Sequence, residues 1–268
     1  MVAGSGAGPV RPAGPAGAPA VPRRSASLLL VRDDPLRVLM LRRGSSRGAF
    51  PSALVFPGGV LEPGDGALAR ESGSETDDEE SALRVTAIRE TWEEVGVLLA
   101  RGAGRRLLGG PEVPRPGDAG AEGLAGVLSA AAARLAIEDV VPFGRWITPL
   151  GGRRRFDTDF FLARAPDLQE PTADGVEAVA IRWVRPEEVA ELTGELLLLP
   201  TLMNLKRLGE HSSVAEALAA APGFPRVPVT STVGFDVDGN PIVRIPAEAG
   251  YGITEFRPQD PGHFALER

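Results

Sequence analysis

The chain has 268 residues, of which 43% are hydrophobic and 24% charged, with a formal net charge of −7 and no cysteine. That length is enough for one substantial core with a small appendage, and the lack of thiols excludes disulfides, thiolate catalysis and thiol-based metal sites. A net negative chain is poorly suited to nucleic acid, whose binding depends on neutralising phosphates, and no run approaches the roughly eighteen apolar residues of a membrane span. A small anionic ligand remains compatible, because arginines and a metal override the global sign locally.

Residues 1–24 are mostly Gly, Ala and Pro with little to pack, and they read as a disordered leader. The leader lacks the charged start and apolar centre of a secretory signal, so the expected compartment is cytoplasmic. Ser27 to Arg32 reads as a buried strand, Asp33-Asp34-Pro35 as a turn, and Leu36 to Leu41 as the returning strand. Arg42, Arg43 and Arg47 follow at the strand exit. As solvated surface they need no function, but planar donor forks at such a place also suit a phosphate on a substrate. Ala53 to Phe56 is another short strand that runs into Pro57-Gly58-Gly59, where two glycines permit a close backbone approach. Gly66 to Glu80 reads as an acidic loop, and its closing Asp77-Asp78-Glu79-Glu80 favours the start of a following helix.

That helix covers Arg84 to Val97. At about 100° per residue, Glu90, Glu93 and Glu94 fall on one arc while Val85, Ile88, Trp92 and Val95 line the opposite side. Like charges at i, i+4 destabilise a helix by roughly 0.2–0.5 kcal/mol, and converging carboxylates raise one another's pKa values. A hard divalent cation reverses the sign of that interaction, because Mg²⁺ takes oxygen ligands and pairs carboxylates with substrate phosphates. A solvated acidic face is the plain alternative.

Gly96 ends the helix. Gly102 to Gly120 reads as a loop and Gly123 to Ile137 as an Ala-rich helix. Trp146-Ile147-Thr148-Pro149 precedes Arg155 to Leu162, in which Phe156, Thr158, Phe160 and Leu162 alternate to one side of a strand. Val176 to Val184 alternates as a further strand carrying Glu177. Helices are expected from Pro186 and from Pro200 to Leu208, each with Pro in its first turn. From Pro222 the chain reads as an extended tail with a hairpin at Asp238-Gly239-Asn240. His211 and His263 lack metal-ligand spacing.

Two stretches carry a family resemblance. Arg89-Glu90-(x2)-Glu93-Glu94-x-Gly96-Val97 resembles the second half of the Nudix box, and Gly59, followed by five residues and then Asp65, resembles the first half. Three features depart from the pattern: Asp65 stands in place of Glu, twenty-three residues rather than seven separate it from Arg89, and Thr91 fills a normally apolar position. Val-Phe-Pro-Gly-Gly-Val-Leu-Glu upstream of the box, with the two later strand segments, resembles the branch that includes the peroxisomal coenzyme A and acyl-CoA diphosphatases. The chain ends Ala265-Leu266-Glu267-Arg268, without a peroxisomal address.

The resemblance implies an α/β/α sandwich around a mixed, partly antiparallel sheet, spanning 25–215 with residues 66–80 as an insertion and 216–268 as a C-terminal extension. It further implies hydrolysis of a diphosphate bond with Mg²⁺ or Mn²⁺ held by Glu90, Glu93 and Glu94. Arg89 is expected to hold a box carboxylate in place. Glu90, Glu177 or another late carboxylate is the expected base, and Arg42, Arg43, Arg47, Gly58 and Gly59 are the expected substrate contacts. Coenzyme A or acyl-CoA is the first expectation for substrate, and an ADP-ribose, dinucleotide or nucleotide-sugar substrate the second. A Nudix-like module that senses a nucleotide without cleaving it is the alternative of another class. A homodimer is the expected assembly, with neither nucleic acid nor membrane as partner.

Overall fold

The computed structural model of the chain describes residues 20–44, 50–74, 78–120, 123–150, 154–192 and 195–257. Strand β1 (Arg23–Arg32) shows how period-two alternation serves two cores at once. Its Ala26, Leu28 and Leu30 enter one apolar cluster, while Leu29 and Val31 enter another on the opposite face. Strand β2 (Arg37–Arg43) divides the same way, with Leu39 and Leu41 on the first side and Val38 and Met40 on the second. The strand therefore starts at Arg23, earlier than the leader reading allowed, because backbone pairing with the strand ending the Arg155 segment extends it; residues 1–19 lie outside the described residues.

The remaining strands are β3 (Ala53–Val55), β4 (Gly58–Val60), β5 (Ala100–Arg101), β6 (Arg134–Leu135), β7 (Val141–Ile147), β8 (Phe156–Arg164), β9 (Ala178–Val184), β10 (Leu196–Leu197), β11 (Val229–Thr230), β12 (Thr232–Phe235), β13 (Pro241–Arg244) and β14 (Glu255–Phe256). The main sheet runs β10-β3-β2-β1-β8-β7-β11, with β4 also on β1 and β9 also on β2. It is mixed: β1 lies parallel to β8, whereas β2, β4 and β9 make antiparallel pairs. The hairpin β12–β13 closes through 236–240 and carries β14 on its other edge.

Helix α1 (Asp65–Glu71) and helix α2 (Glu79–Val95) pack together over the first face. The acidic segment is thus partly helical, not a loop. Ala67, Leu68 and Ala69 are good helix formers, and Ala69 is buried while Leu68 packs against the α2 core. Asp78 caps α2 by accepting the Ser81 N–H at 2.8 Å, and Gly96 closes it in the left-handed conformation at φ 72°. Ile88, Trp92 and Val95 are buried against the sheet, each worth about 1.5–3 kcal/mol. Much of the rest of α2 is buried as well, including Thr91, whose hydroxyl donates to the Ala87 carbonyl at 2.7 Å and so tolerates a site read as apolar.

Helix α3 (Gly123–Ala130) stops before the expected end at Ile137. Leu135 pairs with Ala100 and its N–H donates to Ser72, so strand pairing overrides the Ala-rich propensity. Pro186–Glu191 is a short 3-10 turn in place of the expected α-helix. Helices α4 (Leu199–Leu208) and α5 (Val214–Ala220) cover the second face. The segment that follows does not trail away: Val229, Val243, Ile245, Tyr251 and Phe256 are buried in the same core as α4.

Candidate active site

A cavity of about 810 Å³ opens beside α2, within the range of small-molecule sites. Glu90, Glu93, Glu94 and Glu177 line it together with Trp146, Leu150, Phe156, Phe160 and Leu199. The carboxylates arrive there from two directions. Three sit on α2, and the fourth sits on the segment that caps the end of α2, where the Thr172 and Asp174 N–H groups donate to the Val95 and Glu94 carbonyls at 2.9 and 3.1 Å.

Arg89 organises the helix side. Its guanidinium donates to Asp65 (2.9 and 3.2 Å), Glu90 (2.9 Å), Glu93 (3.0 Å) and the Val60 carbonyl (3.0 Å). Burial alone would lower its pKa, but Asp65, Glu90 and Glu93 outweigh that and raise it, so the cation is permanent. Asp65, the residue that departs from the box pattern, is itself buried and also accepts the Thr86 hydroxyl at 2.7 Å. The long interval before Arg89 is therefore bridged by a direct ion pair.

Glu94 is almost fully enclosed and accepts the Gly58 N–H at 2.9 Å. Burial pushes its carboxyl up to about 8, with the Glu90 and Glu177 charges adding to the shift and the Gly58 hydrogen bond and Arg43 opposing it. Glu90 is pushed up to about 7, mainly by burial, with Glu93 and Glu177 adding and Arg89 opposing. Glu93 shifts upward for the same leading reason. These groups feel one another, yet among the described residues no three His, Asp or Glu are gathered as a ready-made metal cage. Arg89 holds two of the carboxylates and Gly58 the third.

The two glycines serve close approach. A Cβ on Gly58 would meet the Ala26 carbonyl oxygen at 2.4 Å, and one on Gly59 would lie 2.3–2.6 Å from the Glu90 carboxylate. The Gly58 N–H is already taken by Glu94, so this main-chain donor orients a carboxylate.

Glu177 does not lie in the strand expected to carry it. β9 begins at Ala178, and Glu177 sits in the preceding bend, exposed. Asp174 Oδ1 accepts the N–H groups of Val176, Glu177 and Ala178 at 2.8, 3.0 and 2.8 Å, and this local hydrogen bonding displaces the strand start. Of the three arginines, Arg43 lines the cavity and has a buried Nε with no hydrogen-bond partner. Arg42 is engaged by Glu195 at 2.6 Å and is not among the lining residues, because alternation along β2 separates the two neighbours. Arg47 lies outside the described residues.

Sequence reasoning passed over Arg23, Arg154, Glu62, Ser231 and Val233, all of which line the cavity. Arg154 immediately precedes the alternating β8 segment, a usable signal. Arg23 was hidden in the Gly/Ala/Pro leader, and nothing local marks Ser231 or Val233.

Residues 67–208 match the family model of the NUDT19 Nudix domain. The chain is 30% identical to the acyl-coenzyme A diphosphatase NUDT19 of Homo sapiens, over 67% of this chain and 62% of that protein. It is 31% identical to the NUDT19 of Gallus gallus, over 92% of this chain and 79% of that one. The chain spans between about half and four fifths of the length of the curated relatives it matches. Among solved structures, a Nudix hydrolase from Alicyclobacillus acidocaldarius superposes with a TM-score of 0.66 at 29% identity, covering 74% of this chain and 96% of that chain. With the Arg89–Glu94 helix, the mixed sheet and these matches together, the chain belongs to the Nudix hydrolase family.

Proposed function

We propose that the chain hydrolyses the diphosphate bond of coenzyme A or acyl-CoA in the presence of Mg²⁺ or Mn²⁺, releasing adenosine 3′,5′-bisphosphate and (acyl-)phosphopantetheine. The observation that carries this reading is that one cavity is lined both by the α2 carboxylates with Arg23, Arg43 and Arg154 and by the apolar side chains of Trp146, Phe156 and Phe160. Coenzyme A combines the same two characters, with a charged diphosphate between a nucleotide and a long uncharged arm. Relatives named as acyl-CoA diphosphatases support the same choice.

The donor set fits a hard divalent cation. The side chains offered by α2 are carboxylate oxygens, the ligand type a hard divalent cation takes, and they line one cavity together. Glu90, Glu93 and Glu94 would hold the ion. When bound, it supplies charge neutralisation on the diphosphate and a more acidic water. Arg89 keeps Glu90 and Glu93 oriented and acts as a positioning residue. Glu177, fixed by the Asp174 turn at the cavity wall, is placed to take a proton from an attacking water, with Glu90 the other candidate base. Arg43 presents donors to phosphate oxygens. Residues 25–215 form the hydrolase unit in this reading, with Val229, Val243, Ile245, Tyr251 and Phe256 of the following segment built against it.

The test is turnover of a panel of CoA, octanoyl-CoA, NADH, ADP-ribose and dNTPs with Mg²⁺ or Mn²⁺. CoA and its thioester are expected to be cleaved; ADP-ribose turnover with CoA untouched overturns the substrate assignment. Arg89 and the Gly58 N–H already engage the three α2 carboxylates, which favours one other reading, a module that binds a nucleotide without cleaving it. Saturable CoA binding with no turnover of any member of the panel would establish that module instead.

A further inference from the structure

The matched domain ends at 208, yet the cavity wall includes Ser231 and Val233. The way these residues reach the wall is specific. β11 lies parallel to β7 with Val229 opposite Trp146 and Thr230 opposite Ile147, so the next residues emerge beside the rim formed by Thr148, Pro149 and Leu150. Two side chains of this rim are apolar and open to solvent, Leu150 at 72% and Val233 at 54% exposure. Both line the cavity, and apolar side chains at the wall of a cavity are what the apolar portion of a ligand packs against.

The C-terminal segment also grips the wall it completes. Trp146 Nε1–H donates to Tyr251 Oη at 2.9 Å, and Tyr251 Oη–H donates to Asn204 Oδ1 at 3.0 Å. The Arg207 guanidinium lies 3.6 Å from the Tyr251 ring centroid and donates to the Phe143 and Ala249 carbonyls at 2.9 and 2.6 Å. A wall anchored at a strand pair and at a buried ring is a fixed shape, which is what discrimination between ligands requires.

We propose that the segment after α5, through Ser231 and Val233, is a specificity-determining wall that contacts the acyl tail of an acyl-CoA. This rests on the diphosphatase reading, since the carboxylate part of the same cavity takes the diphosphate and leaves the apolar part for the far end of the substrate. The tail is the occupant because Leu150, Val233 and Phe156 are apolar or aromatic and line the same cavity as the α2 carboxylates.

The experiment compares two ligands on the full chain. Calorimetry in EDTA measures the Kd of CoA and of octanoyl-CoA for the wild type and for Val233→Asp, and steady-state assays with Mg²⁺ measure kcat/KM for the same pairs. Wild type is expected to bind octanoyl-CoA at least tenfold more tightly than CoA, and Val233→Asp to bring that ratio within about twofold. Because the readout is a ratio, a general loss of active protein does not mimic it, and a second substitution, Ser231→Trp, which narrows the wall, should lower the ratio as well. Equal affinity of wild type for the two ligands, or an unchanged ratio in both variants, overturns the wall. A retained tail-dependent Kd with no turnover overturns the hydrolase reading and leaves the wall standing, whereas turnover of both substrates with no tail dependence does the opposite.

Discussion

Arg89 and Asp65 form a buried two-point ion pair, Nε to Oδ1 at 2.9 Å and Nη2 to Oδ2 at 3.2 Å, that ties the start of α1 to the centre of α2. Removing one partner of such a pair strands the other in a poorly solvated site, at a cost of about 3–5 kcal/mol. Arg89→Ala and Asp65→Ala are each expected to destabilise the fold by that order in urea unfolding. The double variant should lose clearly less than the sum, because the second substitution removes a group whose two-point partner is already gone. Strictly additive losses would show that the two groups do not act as a pair.

Glu93→Gln and Glu94→Gln separate chemistry from folding. Gln keeps the shape of a carboxyl and, at position 94, keeps an oxygen for the Gly58 N–H, so melting temperatures should stay within a few degrees of wild type. Each loses a full negative charge from the ion-holding set, and turnover of CoA should fall by roughly a hundredfold or more. A near-normal rate in both variants would remove these residues from the metal site.

The helix of the site was legible because its spacing alone places three carboxylates on one arc. The Asp65 contact was not, since twenty-three intervening residues give no hint that α1 folds back until Ala69 and Leu68 are seen packed on the α2 core. Adjacent arginines in β2 point to opposite faces, so proximity in sequence was misleading for Arg42, which pairs with Glu195, a residue 153 positions away. Ser231 and Val233 reach the cavity only through the parallel pairing of β11 with β7, a non-local contact that no local pattern encodes.

Gly58 and Gly59 should respond differently to a single methyl group. At Gly58 the added Cβ meets backbone, the Ala26 carbonyl and the Ser27 Cα at 2.4 and 2.7 Å, which cannot move without separating β4 from β1. Gly58→Ala is therefore expected to cost about 1–3 kcal/mol of stability. At Gly59 the clash is with the end of the Glu90 side chain, which can swing aside. Gly59→Ala should melt close to wild type but lose at least tenfold in kcat. Thermal melts paired with CoA turnover check both, and a reversed order of stabilities would contradict the contacts.

Without a bound cation, the α2 carboxylates should make stability depend on pH in an unusual direction. Glu90 and Glu94 titrate near 7 and 8 in the folded chain, above the ordinary carboxylate value, with burial as the first cause. The folded state therefore binds more protons than the unfolded state between about pH 4.5 and 8. Their contribution is fully present below the unfolded value and is lost as pH rises through the folded values. In EDTA, stability should decline on the order of a few kcal/mol across that window relative to a Glu90→Gln/Glu94→Gln double variant. Mg²⁺ at pH 8 should restore the wild type and leave the double variant unchanged. Melting curves at pH 5 and 8, with and without Mg²⁺, decide this; parallel pH slopes in the two proteins would rule it out.

Tyr251 is the hinge between the C-terminal segment and the cavity wall, accepting from Trp146 and donating to Asn204. Tyr251→Phe preserves the ring stacked on Arg207 but removes both hydrogen bonds in a buried place, where an unsatisfied group costs about 1–3 kcal/mol. Asn204 is already short of a partner at Nδ2, so losing the tyrosine hydroxyl leaves its whole amide unserved. A second substitution, Asn204→Leu, replaces that amide with an apolar group of similar size. If the cost of Tyr251→Phe lies mainly in stranded polar atoms, the double variant should be no less stable than Tyr251→Phe alone, despite carrying one more core substitution. If the double variant is instead less stable by the full cost of a large core defect, packing at position 204 outweighs hydrogen bonding there, and the Trp146–Tyr251–Asn204 chain is not what holds the wall in place.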